Sequence, residues 1–299
     1  MAWLVWSPLV ANLVLGLFGP WIARSLPPGA TVRLLPTVMV IVALGTGTVL
    51  ATLGFLSLAQ IPQVAALGSW SAGRLGHEQP WPVQAEAVAG ICAASLLAAA
   101  VTMIMRTIGD LATAARVSRR LTPGPDGVVV VPDLMPEAYT LPALPGIPAR
   151  VVATTALLRA LPDDECRAVF AHEAAHVAGR HHVHLQLARL ACAANPLLRP
   201  TVHAVRFALE RAADEAAAHQ VGSRRLVARA LARAALAKAA AIRAAGDAGA
   251  GGLPPPPCLP PACPAPACRP PTGRSPSARA PCWLRRRARA ALSPSGCSC

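Results

Sequence analysis

The stretch His172-Glu173-Ala174-Ala175-His176 lies within the run Asp163 to His184, which has the composition of a helix. Side chains four residues apart lie over one another on a helix, so His172 and His176 can offer imidazole nitrogens to one metal ion. This spacing is the H-E-x-x-H pattern of zinc sites in peptidases. It predicts a zinc site that takes a third protein ligand from elsewhere in the chain and leaves one position for water. Glu173 is the predicted base that takes a proton from this water.

The composition of the chain is more apolar than that of an ordinary soluble protein. Of its 299 residues, 54% are hydrophobic, and the mean hydropathy is +0.45. These values predict a membrane protein. The formal charge of +14 would also suit a nucleic-acid-binding protein. In a membrane protein, however, basic residues more simply fix the topology and contact anionic lipid. We therefore predict a lipid bilayer as partner and no direct binding of nucleic acid.

Three uncharged segments near the start of the chain are each long enough to cross a hydrocarbon core roughly 30 Å thick. They are residues 3–23, 37–59 and 87–105. The first could be misread as a signal peptide, but no Lys or Arg precedes it and no small-residue cleavage site comes before the next apolar run, so it predicts a retained span. In the second, Gly45, Gly47 and Gly54 predict close packing between helices.

Basic residues in the connections predict the orientation of these spans. The first connection carries Arg24 and Arg33, and the second carries Arg74 against Glu78 and Glu86. Several arginines also follow the third span: Arg106, Arg116, Arg119 and Arg120. By the positive-inside rule, the N-terminus is outside and everything after Met105 is cytoplasmic. The nine cysteines show no repeated pairing pattern before residue 250, which predicts reduced thiols in the same compartment.

The chain changes character near Pro123, where a turn cluster begins. Three short strands are predicted, at Val128 to Val131, Ala138 to Leu141 and Arg150 to Thr155. Pro162-Asp163-Asp164-Glu165 has the proline and acids of a helix start, and later helices are predicted from about Pro200 to Gln220 and from Ser223 to Ala245. In the last helix, Arg225, Arg229 and Arg233 recur four apart. That pattern suits either a helix on the inner leaflet or an ordinary surface helix.

These patterns divide the chain into three regions. We predict a transmembrane region with a juxtamembrane helix at 1–121, a metallopeptidase domain at 122–245 and a disordered low-complexity tail at 246–299. In the tail, Cys258, Cys263 and Cys268 recur every five residues. Prolines lie between them and no histidine is near, which argues against a zinc site there.

Several of these segments together resemble the BlaR/MecR-type membrane metallopeptidases, or antirepressor peptidases. The likeness covers residues 1 to about 245, and it is more distant to the HtpX and CAAX-prenyl (Ste-type) zinc proteases. It rests on three spans followed by Ala138-Tyr139-Thr140-Leu141-Pro142, Arg150-Val151-Val152-Ala153-Thr154-Thr155, Phe170-Ala171-His172-Glu173-Ala174-Ala175-His176 and Glu210-Arg211-Ala212-Ala213-Asp214-Glu215.

The resemblance implies an α+β gluzincin-type zinc metallopeptidase domain behind three transmembrane helices. In these families, an acidic residue on a later helix supplies the third zinc ligand, and that role maps onto Glu210. Asp214 is four residues further along the same helix, so one carboxylate can reach the metal while the other supports a ligand histidine from behind. The resemblance also implies a protein or peptide substrate, and it suggests that the strand Arg150 to Thr155 pairs with an extended substrate chain; otherwise this strand is plain sheet structure.

Other histidines have simpler interpretations. His203 lies seven residues before Glu210, on a similar face, and is either an oxyanion-stabilising group or, more simply, an ordinary helix residue. The remaining candidates are expected to be surface or helix-end residues: His181, His182, His184 and His219. BlaR/MecR-type proteins usually have a fourth span after the peptidase domain, and residues 246–299 contain no such apolar run, so the sequence does not support a β-lactam receptor role.

Three functions are consistent with the sequence. The first is a multi-pass zinc endopeptidase with a cytoplasmic domain that cuts proteins at the cell membrane, with a cytoplasmic DNA-binding repressor as the substrate in the antirepressor case. The second is an HtpX-like protease for membrane-protein quality control. The third is a non-catalytic signalling or scaffold module, which the intact residues His172, Glu173, His176 and Glu210 disfavour.

Overall fold

The computed structural model describes residues 2–68, 81–122, 124 and 127–250. Its first part contains three helices that are long and apolar enough to cross a membrane. These are α1 (Ala2–Ser25), α2 (Pro28–Ala59) and, after the short helix α3 (Pro62–Gly68), α4 (Val83–Arg120). The prediction of three apolar helices long enough to cross a membrane is confirmed. At about 1.5 Å per residue, the 38 residues of α4 span about 57 Å, so the third span and the juxtamembrane helix are one continuous helix.

Two charged residues that were predicted to lie in the connections between the spans, Arg33 and Glu86, lie in helices instead. Arg33 is in the second turn of α2, because Pro28 at the first helical position starts that helix early. Glu86 is in the first turn of α4 and is fully buried. There, Nε2 of Gln60, at the end of α2, donates a 2.7 Å hydrogen bond to its carboxylate. Arg74 and Glu78 lie outside the described residues.

Glycines bring the spans close together, as predicted, at two of the three positions. A Cβ on Gly54 would lie 2.3 Å from Cα of Gly90, so α2 and α4 cross almost backbone to backbone. A Cβ on Gly45 would lie 3.2 Å from the Pro8 side chain of α1. The expectation for Gly47 is wrong, because nothing lies within 4 Å of the corresponding position.

A three-stranded sheet follows, with β1 (Val128–Val131), β2 (Ala138–Leu141) and β3 (Arg150–Thr154). The strand order is β1-β3-β2, with β3 parallel to β1 and antiparallel to β2. Thr154 ends β3 one residue earlier than predicted, because its hydroxyl caps the short helix α5 (Thr155–Ala160) by accepting from the Leu157 N–H. The suggestion that β3 pairs with substrate is wrong, because both edges of β3 are already paired within the sheet.

The run Asp163 to His184 is not one helix. It forms α6 (Asp163–Ala178) and the start of α7 (His181–Ala194), separated by Gly179 and Arg180. Arg180 has a left-handed backbone with φ of 48°, which no continuous right-handed helix accommodates. After a short 3₁₀ turn at Pro196–Leu198, α8 (Arg199–Val221) and α9 (Arg224–Ala250) complete the described chain.

Two buried clusters organise residues 1–241, which form one compact unit. One lies between β3, α5, α6, α8 and α9 and includes Ala153, Leu157, Val169 and Val227. The other joins α7 and α8 to the first two spans and includes Leu15, Met39, Ala191, Leu198 and Val205. Helices α7 and α8 therefore share a core with α1 and α2.

Two arginines of α9 form ion pairs with the start of α6. Glu165 is 1% exposed, and its carboxylate contacts Arg229 Nε at 2.8 Å and Arg233 Nη1 at 2.9 Å. These ion pairs give Arg229 and Arg233 a partner within the domain. The surface-helix alternative is the better one for α9, with Arg225 exposed. Helix α9 continues to Ala250, five residues past the predicted boundary of the tail. Residues 251–299, with the tail cysteines, lie outside the described residues.

Candidate metal centre

Helices α6 and α8 bring together three side chains that could hold a metal ion. His172 Nε2 and His176 Nε2 are 3.1 Å apart, because they lie one turn apart on α6. Glu210 Oε2 reaches over from α8 to 3.5 Å from His172 Nε2 and 3.6 Å from His176 Nε2. The residues that the sequence singled out as ligands thus form one cluster that could hold a metal ion.

The spacing of these three atoms suits zinc. A point equidistant from all three lies about 2.0 Å from each, and zinc binds imidazole nitrogen and carboxylate oxygen at about 2.0 to 2.2 Å. Two nitrogens and one carboxylate oxygen are also a donor set that zinc accepts, with a fourth position left open. The residues present therefore fit zinc in both distance and chemistry.

Electrostatic interactions link His172, His176 and Glu210. Hydrogen bonds to His172 and His176 hold the pKa of the Glu210 carboxyl well below its usual range. Burial works to lower the pKa of His172, but the hydrogen bond to Glu210 and the charges of Glu173 and Asp214 outweigh it and raise the pKa. A proton on His172 therefore competes with a metal ion for the same nitrogen.

Asp214 contacts His172 on the side of the ring away from Glu210, as the sequence predicted for the second acid of this helix. Its Oδ1 lies 2.9 Å from His172 Nδ1, the ring nitrogen that faces away from the cluster. The two atoms are close without a well-aligned hydrogen bond. Such a contact favours the tautomer that carries the proton on Nδ1 and leaves Nε2 free for a metal.

His181 occupies the corresponding position behind His176; it is at a helix end, as one of the two expectations had it, but it is buried and not at the surface. It is 7% exposed, and its Nδ1 lies 2.8 Å from His176 Nδ1. Burial lowers the pKa of His181 to about 4, so its ring is neutral at neutral pH and can accept the Nδ1 proton of His176. Both His172 and His176 therefore have a polar partner at Nδ1.

The helix break after Ala178 creates this contact. The chain turns at Gly179 and Arg180 and folds the first residue of α7 back against α6. A Cβ on Gly179 would lie 2.4 Å from His181 Nε2, so only glycine leaves room for the ring. The contact between His181 and His176 was not predicted, because the run was expected to be one continuous helix; Gly179, three residues after His176, was the available signal.

Glu173 lies beside the cluster on α6. Burial raises the pKa of its carboxyl, while the two ligand histidines act to lower it. A raised pKa brings a carboxylate nearer to the range in which it can accept and return a proton at neutral pH.

The other histidines do not join the cluster. His203 and His219 are exposed on α8, while His182 and His184 are half-buried on α7. For His203, this supports the ordinary helix residue over a role at the site. Cys92, Cys166 and Cys192 are free thiols, and none of them is part of the cluster.

Comparison with protein families gives an independent result. Residues 98–244 match the model of peptidase family M48. The match covers the last part of α4, the sheet, and helices α6 and α8, which carry His172, His176 and Glu210. It indicates a protease domain of a family whose members are typically metal-dependent. The resemblance is thereby supported at the level of a membrane-type metallopeptidase, and the match does not extend to the BlaR/MecR subtype. Searches of curated proteins and of solved structures gave no significant match.

Proposed function

We propose that this protein is a membrane-anchored zinc endopeptidase that cleaves proteins at the cytoplasmic face of the membrane. The observation that carries the proposal is the cluster of His172, His176 and Glu210, with Glu173 beside it, inside the segment that matches peptidase family M48. The three apolar helices support the membrane anchor. The excess of arginine after Met105 supports a cytoplasmic location of the M48-type domain.

Each residue has a distinct role in this proposal. His172, His176 and Glu210 hold the zinc, which when bound acts as a Lewis acid and makes water a nucleophile at neutral pH. Glu173 accepts the proton of the attacking water and delivers it to the leaving nitrogen of the peptide. Asp214 and His181 fix the rings of the two ligand histidines through their Nδ1 atoms.

An extended substrate chain has a better partner in β2 than in β3. In the described part of the chain, β2 is paired on one side only, and it packs against α6, the helix that carries His172 and His176. The free backbone groups of an edge strand can pair with another extended chain. We propose that substrate adds to the free edge of β2 and lies across the metal cluster.

The identity of the substrate distinguishes the two proteolytic functions that the sequence left open. One cleaved cytoplasmic DNA-binding repressor corresponds to the antirepressor function, and many fragments of membrane proteins correspond to HtpX-like quality control. The intact cluster and its partners at both Nδ1 atoms disfavour a non-catalytic scaffold, since a scaffold needs neither.

Glu173→Gln tests the proposal most directly. We expect the purified variant to keep zinc and lose most of its turnover, because an amide cannot accept the proton. Zinc content and cleavage are measured in the same preparations, and the peptides of cells carrying the variant are compared with those of cells carrying the native protein. Turnover close to native would remove Glu173 from its role as base. Loss of cleavage together with loss of zinc would show that the variant had damaged the site.

A further inference from the structure

Two basic side chains from distant parts of the chain meet at the start of α7. Arg33 is exposed in the second turn of α2, and His184 is half-buried in the first turn of α7. The residues beside them pack together, because Val32 and Leu35 of α2 share a buried cluster with Leu185 of α7. At this distance the charge of Arg33 acts on the His184 ring. We refer to Arg33 and His184 as the basic pair.

Within the described residues, no carboxylate neutralises the basic pair. None of the ion pairs between described side chains involves Arg33 or His184. The first turn of α7 also contains no acid. Burial lowers the pKa of His184, and the charge of Arg33 lowers it further, so the ring is neutral at neutral pH. The basic pair thus carries positive charge without a counter-ion, as a site that binds an anion does.

The His184 ring has a hydrogen-bonding group to offer to such an anion. Its Nδ1 is buried without a hydrogen-bond partner. A neutral imidazole carries one N–H and one acceptor nitrogen, so the ring can keep its proton on Nε2, the nitrogen that is not enclosed. An oxygen of a ligand beside Arg33 can then accept from both the guanidinium and His184 Nε2. The free N–H groups in the first turn of α7 add partial positive charge at the same place.

The basic pair lies at one end of the first two spans. Helix α1 ends at Ser25 and α2 begins at Pro28, so Arg33 lies only about 8 Å along α2 from the connection between them. In the proposed orientation, this connection faces the cytoplasm. Anionic lipids give that membrane surface its negative potential and attract basic side chains. Location and chemistry together therefore favour the phosphate of a phospholipid as the anion.

We propose that Arg33 and His184 bind the phosphate group of one anionic phospholipid of the cytoplasmic leaflet. The inference rests on the proposed membrane anchor and its orientation, and it adds a lipid ligand to them. The guanidinium supplies the charge, and the His184 ring supplies a directed hydrogen bond. Such a lipid lies three positions along α7 from His181, which contacts His176. It thereby links the membrane surface to the start of the helix that supports the metal cluster.

Native mass spectrometry of the full-length protein in an uncharged detergent tests this site. Because no anionic bilayer surface is present, only groups that touch the bound lipid affect its affinity. Titrations compare phosphatidylglycerol with phosphatidylcholine, which has the same phosphate but no net charge. We expect the native protein to bind the first phosphatidylglycerol more tightly than phosphatidylcholine. Arg33→Gln should weaken phosphatidylglycerol binding about fivefold, the effect typical of one basic side chain beside anionic lipid.

Variants of His184 distinguish this site from a general attraction of lipid to arginines. His184→Phe keeps a ring but cannot donate a hydrogen bond, so we expect it to weaken phosphatidylglycerol binding about fivefold as well, although the native ring is neutral. His184→Gln, whose amide can donate, should retain most of the affinity. Arg106→Gln is the matched control, because Arg106 is exposed at the cytoplasmic end of the third span and lies on α4. Circular dichroism checks the folding of each variant.

Native affinity for phosphatidylglycerol in both Arg33→Gln and His184→Phe would overturn the site, as would an equal loss in Arg106→Gln. Displacement of the lipid by millimolar inorganic phosphate would also overturn it, since the basic pair would then bind the free anion and not a headgroup. The readout does not depend on cleavage. Lipid binding that requires the basic pair in a protein without peptidase activity would reject only the proposed peptidase. Zinc-dependent cleavage without such lipid binding would reject only the lipid site.

Discussion

His181 provides a sharp test of how the metal cluster is organised. We expect His181→Phe to keep the fold and weaken zinc binding about tenfold. Phenylalanine fills a similar volume but cannot accept the Nδ1 proton of His176, which lies 2.8 Å away in the native protein. Partners behind a ligand histidine typically contribute about 10 to 100-fold in metal affinity, or about 1.4 to 2.7 kcal/mol. The side chain of His176 is 18% exposed, so water can partly replace the lost partner, and we expect the lower end of this range.

The assay is a competition titration of zinc with a chelator on the purified full-length protein, with circular dichroism as a check on folding. His182→Phe is the matched control, because this neighbouring histidine lines the groove beside α4 and is not part of the metal cluster. Gly179→Ala is an independent route to the same effect. Gly179 has a φ of −77°, which alanine also adopts. The new Cβ would lie 2.4 Å from His181 Nε2, however, and would displace the ring. Native zinc affinity in His181→Phe, or an equal loss in His182→Phe, would refute the reasoning.

Three further predictions concern the ligands, the topology and the tail. Glu210→Ala should lose both zinc and cleavage, because the two histidines alone do not make a three-ligand site. Asp214→Ala should keep measurable zinc, with a loss of about 10 to 100-fold in affinity or activity. Zinc analysis of both variants checks this prediction, and the reverse ranking would make Asp214 the ligand. A reporter fused after Arg120 should behave as cytoplasmic and one fused after Gly68 as external, because arginine distribution sets orientation; an external signal from the first fusion would contradict the topology. Deleting residues 253–299 should leave zinc binding and cleavage largely intact, because a proline-rich segment without apolar periodicity adds little to a packed core; unfolding of the truncated protein would show that the tail is structural.

The sequence by itself determined the features that depend on local spacing. Uncharged runs of sufficient length predicted the three apolar helices, since length and composition alone decide whether a helix can cross a bilayer. The four-residue repeat of His172 and His176 placed both rings on one face of α6, because helical geometry is the same everywhere. All three strands appear where β-branched runs and turn residues predicted them, with the third ending one residue early.

Tertiary structure decided which segments meet. Spacing along the chain does not reveal that β3 is the central strand, since strand order depends on pairing between distant residues. Nor does it show that Arg229 and Arg233 pair with Glu165, because a repeat of arginines looks the same on a surface helix and on a membrane-bound one. His181 became a partner of His176 through a single left-handed residue, Arg180, whose conformation is held by the surrounding fold. The packing of α7 and α8 against the spans likewise arises from small apolar side chains that are close only after folding, and it sets the metal cluster beside the membrane helices.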